Sequence, residues 1–127
     1  MKKLLVVLAM VLLMAPSAVL AEELTASWSQ ASTDVLAPNF VGWNLYMAVD
    51  LPGGPYQKVA DIEFDGTAGN LYSADVTIQG VLGTHVYYFV LRAETLDEES
   101  DPSNEAQVTI TKDISGPMNF TIKIKVQ

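Results

Sequence analysis

The stretch Val86–Ala93 constrains the fold more than any other part of the sequence. Most of its residues are β-branched, aromatic or aliphatic, types that suit the pleated and half-buried surface of a sheet. Successive side chains of a strand point to opposite faces, and we assign one face to the core: Tyr87, Phe89, Leu91 and Ala93. The other face is also largely apolar, and a helical period does not fit the pattern. The stretch therefore predicts a central β-strand.

Further segments of the chain show the same strand signal. Their predicted bounds are Leu24–Ser29, Phe40–Val49, Tyr56–Phe64, Tyr72–Gln79, Glu105–Lys112 and Phe120–Val126. Segments rich in glycine, proline and polar residues separate them, including a predicted loop over Gln30–Asn39, and no helix is predicted after Ala21. About seven short strands predict an all-β antiparallel sandwich or small barrel.

The first 21 residues have the pattern of a signal peptide. Lys2 and Lys3 precede an apolar run, Leu4–Met14, and small residues favour cleavage after Ala21. The run is too short to cross a bilayer comfortably, so no membrane span is expected. We predict an exported protein, periplasmic or at the cell surface, with a domain over 22–112 and a linker and extra strand over 113–127.

Composition narrows the classes of partner. The chain has 15 acidic and 7 basic residues, and loss of Lys2 and Lys3 would make the mature chain still more acidic. Nucleic acid and anionic membrane surfaces repel such a chain, so neither is an expected partner. The absence of cysteine means that an exported domain must be held together by its hydrophobic core alone.

No residue pattern predicts catalysis, a cofactor or a metal site. His85 is the only histidine and lacks partners at ligand spacing, so we interpret it as a surface residue of a turn. Neither a nucleophile elbow nor a phosphate-binding glycine loop occurs. Trp28 and Trp43 are predicted to be core residues. The candidate aromatic surface for a protein or glycan ligand consists of Tyr46, Tyr56, Tyr72 and Tyr88.

Several of these segments together resemble the fibronectin type III domain in its bacterial exported form. The resemblance covers Leu24–Thr111 and is specific for strand order and spacing. The residues that carry it are Ser27-Trp28, Val41–Tyr46, Val81 six residues before Tyr87, Tyr87–Ala93 and Glu99–Glu105. It implies an immunoglobulin-like β-sandwich in which Tyr87 forms a tyrosine corner, its hydroxyl bonding the backbone a few residues upstream. It implies little about function.

The sequence departs from this family at both ends. The first family strand should precede Leu24 but is missing, whereas a surplus strand follows Lys112. The surplus segment begins at Pro117 and resembles the start of a family first strand. Its alternating apolar side chains are those of Phe120, Ile122, Ile124 and Val126.

Three arrangements would pair this last strand. It could fold back on Glu105–Lys112 as a hairpin, or lie parallel to Leu24–Trp28 of its own domain. It could also enter the vacant edge of the next molecule. The sequence therefore predicts a non-catalytic module that binds an extracellular protein or glycan. The alternative is a structural subunit that assembles head to tail by donating its strand Phe120–Val126.

Overall fold

The computed structural model describes residues 20–125 as two antiparallel β-sheets packed against each other, which confirms the predicted sandwich. The elements are β1 (Ala21–Ser29), α1 (Ser32–Val35), β2 (Phe40–Val49), β3 (Gln57–Glu63), β4 (Leu71–Gln79), β5 (Gly83–Thr95) and β6 (Ala106–Lys112). Most of the predicted signal peptide, together with Val126 and Gln127, lies outside the described residues. Within residues 20–125, no helix is long and apolar enough to cross a bilayer.

The two sheets are unequal in size. Among residues 20–125, one contains four strands in the order β3-β2-β5-β6, and the other contains β1 and β4. β5 lies between β2 and β6, which confirms the prediction of a central strand, although β5 extends beyond the predicted stretch at both ends. The bounds of β2 are those predicted from its alternation.

The predicted core face of the central strand is also confirmed. In the β2–β5 register, Tyr87 lies opposite Val49 and Leu91 lies opposite Leu45, so their side chains share the inner face. Tyr87 is completely buried. At one end of the core, five aromatic rings pack together, and the centroids of contacting rings lie 4.9 to 6.4 Å apart: those of Trp28, Phe40, Trp43, Phe64 and Tyr72. Trp43 is buried and Trp28 is half-buried.

Gly42 allows two strands to approach closely beside this aromatic cluster. Its φ is 154° at a register shift of β2, and a Cβ added there would collide with the backbone oxygen of Ile62 on β3. Only glycine lacks that atom. The glycine-aromatic pattern of β2 therefore reflects the distance between β2 and β3.

The structure corrects three details of the prediction. The segment Gln30–Asn39 is not entirely a loop, because α1 forms within it and buries Val35. Its turn is closed by the bond from Leu36 N to Ser32 O at 3.1 Å. β1 begins three residues earlier than predicted. The segment from Phe120 onward, predicted as a strand, belongs to neither sheet where it is described.

The tyrosine corner is present. The Val81 backbone N–H donates to the Tyr87 hydroxyl at 2.8 Å, across the six residues that separate them. Because the ring is completely buried, this bond fixes the connection between β4 and β5 against the core.

We predict that Tyr87→Phe lowers the free energy of unfolding by about 1 kcal/mol, because the Val81 N–H loses its acceptor in a partly buried setting. Tyr88→Phe is the matched control, since the Tyr88 side chain points to the opposite face, and it should change stability by less than about 0.5 kcal/mol. Urea unfolding of both variants measures the difference. Equal losses would show that the corner bond is not a specific stabilising contact.

Candidate functional site at the open edge of the sandwich

An apolar groove separates β1 from β6 along one edge of the sandwich. Its volume is about 620 Å³, and its lining comes from both sheets. The walls include inward-facing residues of β1 and β6, and Leu45 and Leu91 contribute from the strands behind them. The two sheets therefore pack less closely here than at the aromatic cluster.

The wall contributed by β1 is apolar but incompletely covered. Leu24, Ala26 and Trp28 face the interior, yet each is only half-buried. On the opposite wall Val108 is half-buried and Ala106 is exposed. The alternation of β1 thus presents a row of core-type side chains that residues 20–125 cover only in part.

The backbone of β1 is also unpaired on this side. β1 pairs with β4 along its whole length, from Ala21 opposite Gln79 to Ser29 opposite Leu71, and β4 is its only strand partner within the described residues. The other edge of β1 faces the groove and presents backbone N–H and C=O groups to it. Such an edge is a template for a further strand.

The groove is closed at one end and open at the other. At the closed end, Lys112 of β6 forms an ion pair with Glu22 of β1. At the open end, Trp28 and Ser29 lie across from Ser103 and the start of β6. β1 and β6 therefore run in opposite directions along the groove.

The C-terminal segment leaves the sandwich at the closed end of the groove. All residues from Asp113 to Lys125 are exposed, including Phe120 at 79%, Ile122 at 84% and Ile124 at 94%. Three large apolar side chains at alternate positions thus lie in solvent. The same chain carries a groove lined by core-type side chains that this segment does not fill.

Tyr46 and Tyr88 lie on the outer face of the four-stranded sheet. The Tyr46 hydroxyl donates to Glu99 Oε2 at 2.6 Å, and Asn44 Nδ2 donates to the same oxygen at 2.5 Å. The guanidinium of Arg92 lies 5.8 Å from the centre of the Tyr46 ring. This polar network fastens the loop after β5 to the sheet.

Burial raises the pKa of Tyr46 to about 12, and its hydrogen bond to the Glu99 carboxylate adds to the effect. For Glu99, burial opposes ionisation, but hydrogen bonds from Tyr46 and Asn44 and the charge of Arg92 outweigh it and lower its pKa. Sequence reasoning missed Asn44 and Glu99. A polar residue in the middle of the apolar strand β2 was the available signal.

The other two tyrosines lie elsewhere. The Tyr56 hydroxyl bonds the Glu105 carboxylate, which also accepts from Gly53 N at 2.8 Å. Tyr72 belongs to the aromatic cluster, and its hydroxyl donates to Gly69 O at 3.1 Å. The four candidate tyrosines do not form one continuous surface, and three of them use their hydroxyls within the domain.

His85 joins two turns instead of standing alone. Its Nδ1 lies 2.5 Å from Asp50 Oδ2, and its Nε2 lies 2.8 Å from Leu82 O. Because both ring nitrogens face acceptors, the hydrogen bond to Asp50 and that to the backbone raise the pKa of His85. The hydrogen bond from His85, with that from Val86 N, lowers the pKa of Asp50.

No protein-family model matches the chain, and no curated protein matches it. Among solved structures, the chain is similar to the twitchin kinase region from C. elegans, described as Fn31-NL-kin-CRD-Ig26. The superposition has a TM-score of 0.50 and 20% sequence identity over 77% of this chain. The chain corresponds to only 16% of the length of that structure.

The chain has a fibronectin-type-III/immunoglobulin-like fold. Among the described residues, the two-stranded sheet ends at β1, and the groove lies beside this edge strand. This is the candidate functional site.

We predict that Asp50→Asn lowers the pKa of His85 toward its ordinary value of 6.5, because the ring loses its charged acceptor. A histidine whose pKa is higher in the folded than in the unfolded state stabilises the fold at pH values below the unfolded-state pKa. This stabilisation is lost as the pH rises through the folded-state pKa. The stability difference between wild type and variant should therefore be larger near pH 6 than near pH 9.

NMR titration of the single histidine, with urea unfolding at both pH values, tests this prediction. Asn retains the acceptor for Val86 N and tolerates the positive φ of 59° at position 50, so the turn should be preserved. An unchanged His85 pKa in the variant would show that Asp50 does not set it.

Proposed function

We propose that this chain is an exported, non-catalytic structural subunit, a bacterial fibronectin-type-III-like domain that assembles head to tail. Each subunit donates its C-terminal segment, Phe120–Val126, to the groove beside β1 of the next subunit. The observation that carries the proposal is the coexistence, in one chain, of an unfilled apolar groove at an unpaired strand edge and an exposed alternating segment.

The two parts are complementary in chemistry. The segment offers Phe120, Ile122 and Ile124 on one face, and β1 offers a row of three half-buried side chains, Leu24, Ala26 and Trp28. Pairing would remove both rows from water and would satisfy the backbone groups of the β1 edge. Main-chain bonds with alternate side chains in a groove are the general mode of strand addition.

Antiparallel insertion into the same molecule is disfavoured by distance. The segment leaves β6 at Lys112, beside Glu22, whereas an antiparallel strand must enter at the Ser29 end. Those two ends of β1 lie roughly 23 Å apart at strand spacing. The eight residue steps from Lys112 to Phe120 extend over at most about 26–29 Å, so the linker could cover this distance only when almost fully extended, with little chain left to reverse direction. The segment of another molecule has no such constraint.

Insertion into its own groove would place the segment antiparallel to β6 and parallel to β1. Parallel pairing is slightly less stable per residue than antiparallel pairing, and the inserted segment would run opposite to the first strand of the fibronectin type III family. This arrangement, in which the segment folds back on β6 of its own molecule, is the competitor of strand donation. The two differ in molecular mass, because only strand donation produces oligomers.

Successive subunits would contact each other at opposite ends of the sandwich. The donor segment departs near Glu22 and enters the acceptor near Ser29, so the two surfaces of the interface differ. An interface of this head-to-tail kind produces an open filament unless its rotation closes a ring.

Recognition of a separate protein or glycan through the tyrosines has less support. Tyr46 and Tyr56 direct their hydroxyls to carboxylates of their own domain, and Tyr72 packs among core rings. Such a surface would have to give up internal contacts in order to bind a ligand.

We predict that the mature chain, Glu22–Gln127, forms a series of oligomers whose mean mass rises with concentration, whereas a chain ending at Gly116 stays monomeric. The reason is that truncation removes the donor and leaves the sandwich intact. Light scattering over a wide concentration range measures both. A full-length chain that is monomeric throughout, or a truncated chain that still assembles, would contradict the proposal.

We also predict that Ile122→Asp abolishes assembly, because it places a charge in the apolar groove. Thr121→Asp is the matched control, with the same new side chain on the opposite face of the segment, and it should retain assembly. Both positions are exposed in the single chain, so neither substitution should affect folding. Equal behaviour of the two variants in sedimentation velocity would show that the alternating face is not used.

A further inference from the structure

The outer surfaces of the donor segment and of the acceptor sheet carry opposite charges. The outward residues of the described segment include Lys123 and Lys125. On the exposed positions of β1 and β4 the charged residues are Glu23 and Asp75, both acidic. An overall acidic chain therefore concentrates basic charge on its last segment and acidic charge on the sheet that would receive it.

We infer that the donor segment docks antiparallel to β1 in a single register, with Ile122 opposite Ala26 and Lys125 opposite Glu23. Packing excludes the other registers, and charge makes the subunits selective for this C-terminal segment. The inference rests on the proposed strand donation and adds the recognition rule of the same site.

The apolar side chains define this register first. Ala26 is the small residue between Leu24 and Trp28 on the groove wall, so it leaves space for a branched side chain opposite it. With Ile122 in that space, Phe120 lies opposite Trp28. Aromatic cross-strand pairs of this kind are among the favourable ones. Ile124 then covers Leu24, and the whole row is buried.

Neighbouring registers lose part of this burial. A shift of one residue would turn the apolar face to solvent. A shift of two toward Glu22 places Met118, instead of Phe120, opposite Trp28 and puts Ile124 beside the Glu22–Lys112 ion pair. A shift of two in the other direction carries Phe120 past the end of β1, so its aromatic pair with Trp28 is lost.

The charges then agree with the register that packing selects. Lys125 stands directly opposite Glu23 on the outer face. Lys123 stands opposite Thr25, whose hydroxyl donates to Asp75 Oδ1 at 2.8 Å. Lys123 of the donor therefore lies on the strand next to β1 on one side, and Asp75 lies on β4 on its other side. Opposite charges that face each other across strands attract, and like charges there repel.

A charge exchange in the full-length chain tests the register. Glu23→Lys and Lys125→Glu should each weaken self-assembly about 3- to 20-fold in dissociation constant, because a favourable exposed pair becomes a repulsive one. When the two variants are mixed, every contact between unlike subunits brings a lysine opposite a glutamate at positions 23 and 125, either in the native order or in the reversed one. The mixture should therefore assemble to within about 2-fold of wild type.

The matched control is Lys123→Glu, which makes the same change of charge as Lys125→Glu two residues away. In the inferred register this variant keeps Lys125 opposite Glu23, so on its own it should assemble much more strongly than Lys125→Glu. In its mixture with Glu23→Lys, a Lys123→Glu donor still brings Lys125 opposite the new lysine at position 23, so the Glu23→Lys groove should not be rescued. Rescue by Lys123→Glu instead of Lys125→Glu would indicate the shifted register and overturn the inference.

The truncated chain separates failure of this inference from failure of the proposed function. If both single charge variants assemble like wild type while the chain ending at Gly116 does not assemble, strand donation stands and the register is wrong. If the chain ending at Gly116 still assembles, both are wrong. Circular dichroism of each variant confirms that the sandwich is folded.

Discussion

The unpaired edge of β1 is the constraint on which the rest of this account depends. A two-stranded sheet that covers a four-stranded one cannot enclose the core completely, and here the uncovered part is the groove between β1 and β6. The edge combines free backbone groups with half-buried Leu24, Ala26 and Trp28. Native proteins normally protect such edges because they promote association. This chain contains both such an edge and an exposed segment of alternating apolar residues, Phe120 to Ile124.

The remainder of the sandwich provides rigidity for that edge. β5 lies between two neighbours, and the buried Tyr87 fixes the preceding connection through its bond with Val81. The rings packed around Trp43 join the two sheets at the open end of the groove, and the Glu22–Lys112 pair joins them at the closed end. The groove therefore has fixed ends, which is what a site that selects one strand register requires.

Sequence reasoning predicted the local features well. The strand signal indicated a strand at each of the six that form, and the resemblance to the fibronectin type III domain implied the corner bond of Tyr87. It missed contacts that depend on residues far apart in the chain, such as Asn44 with Glu99 and Asp50 with His85. Such pairs have no local period. α1 was missed because four residues give too short a pattern, and its helical turn depends on burying Val35.

The position of the last strand was the least predictable feature. The alternation from Phe120 to Ile124 indicates a strand, but alternation is the same whichever edge the strand pairs with. Within residues 20–125, both β1 and β6 have a free edge beside the groove. Our proposal of pairing with β1 of another molecule rests on three-dimensional features instead: the end of the groove at which the chain leaves β6, and the reach of the linker.

The most direct test is hydrogen exchange of the full-length mature chain, measured residue by residue at low and high concentration. The account predicts that the β1 amides directed away from β4 gain protection as concentration rises, together with amides of 120–125. Protection of the free edge of β6 in place of β1, or protection of the segment that does not depend on concentration, would contradict strand donation between molecules.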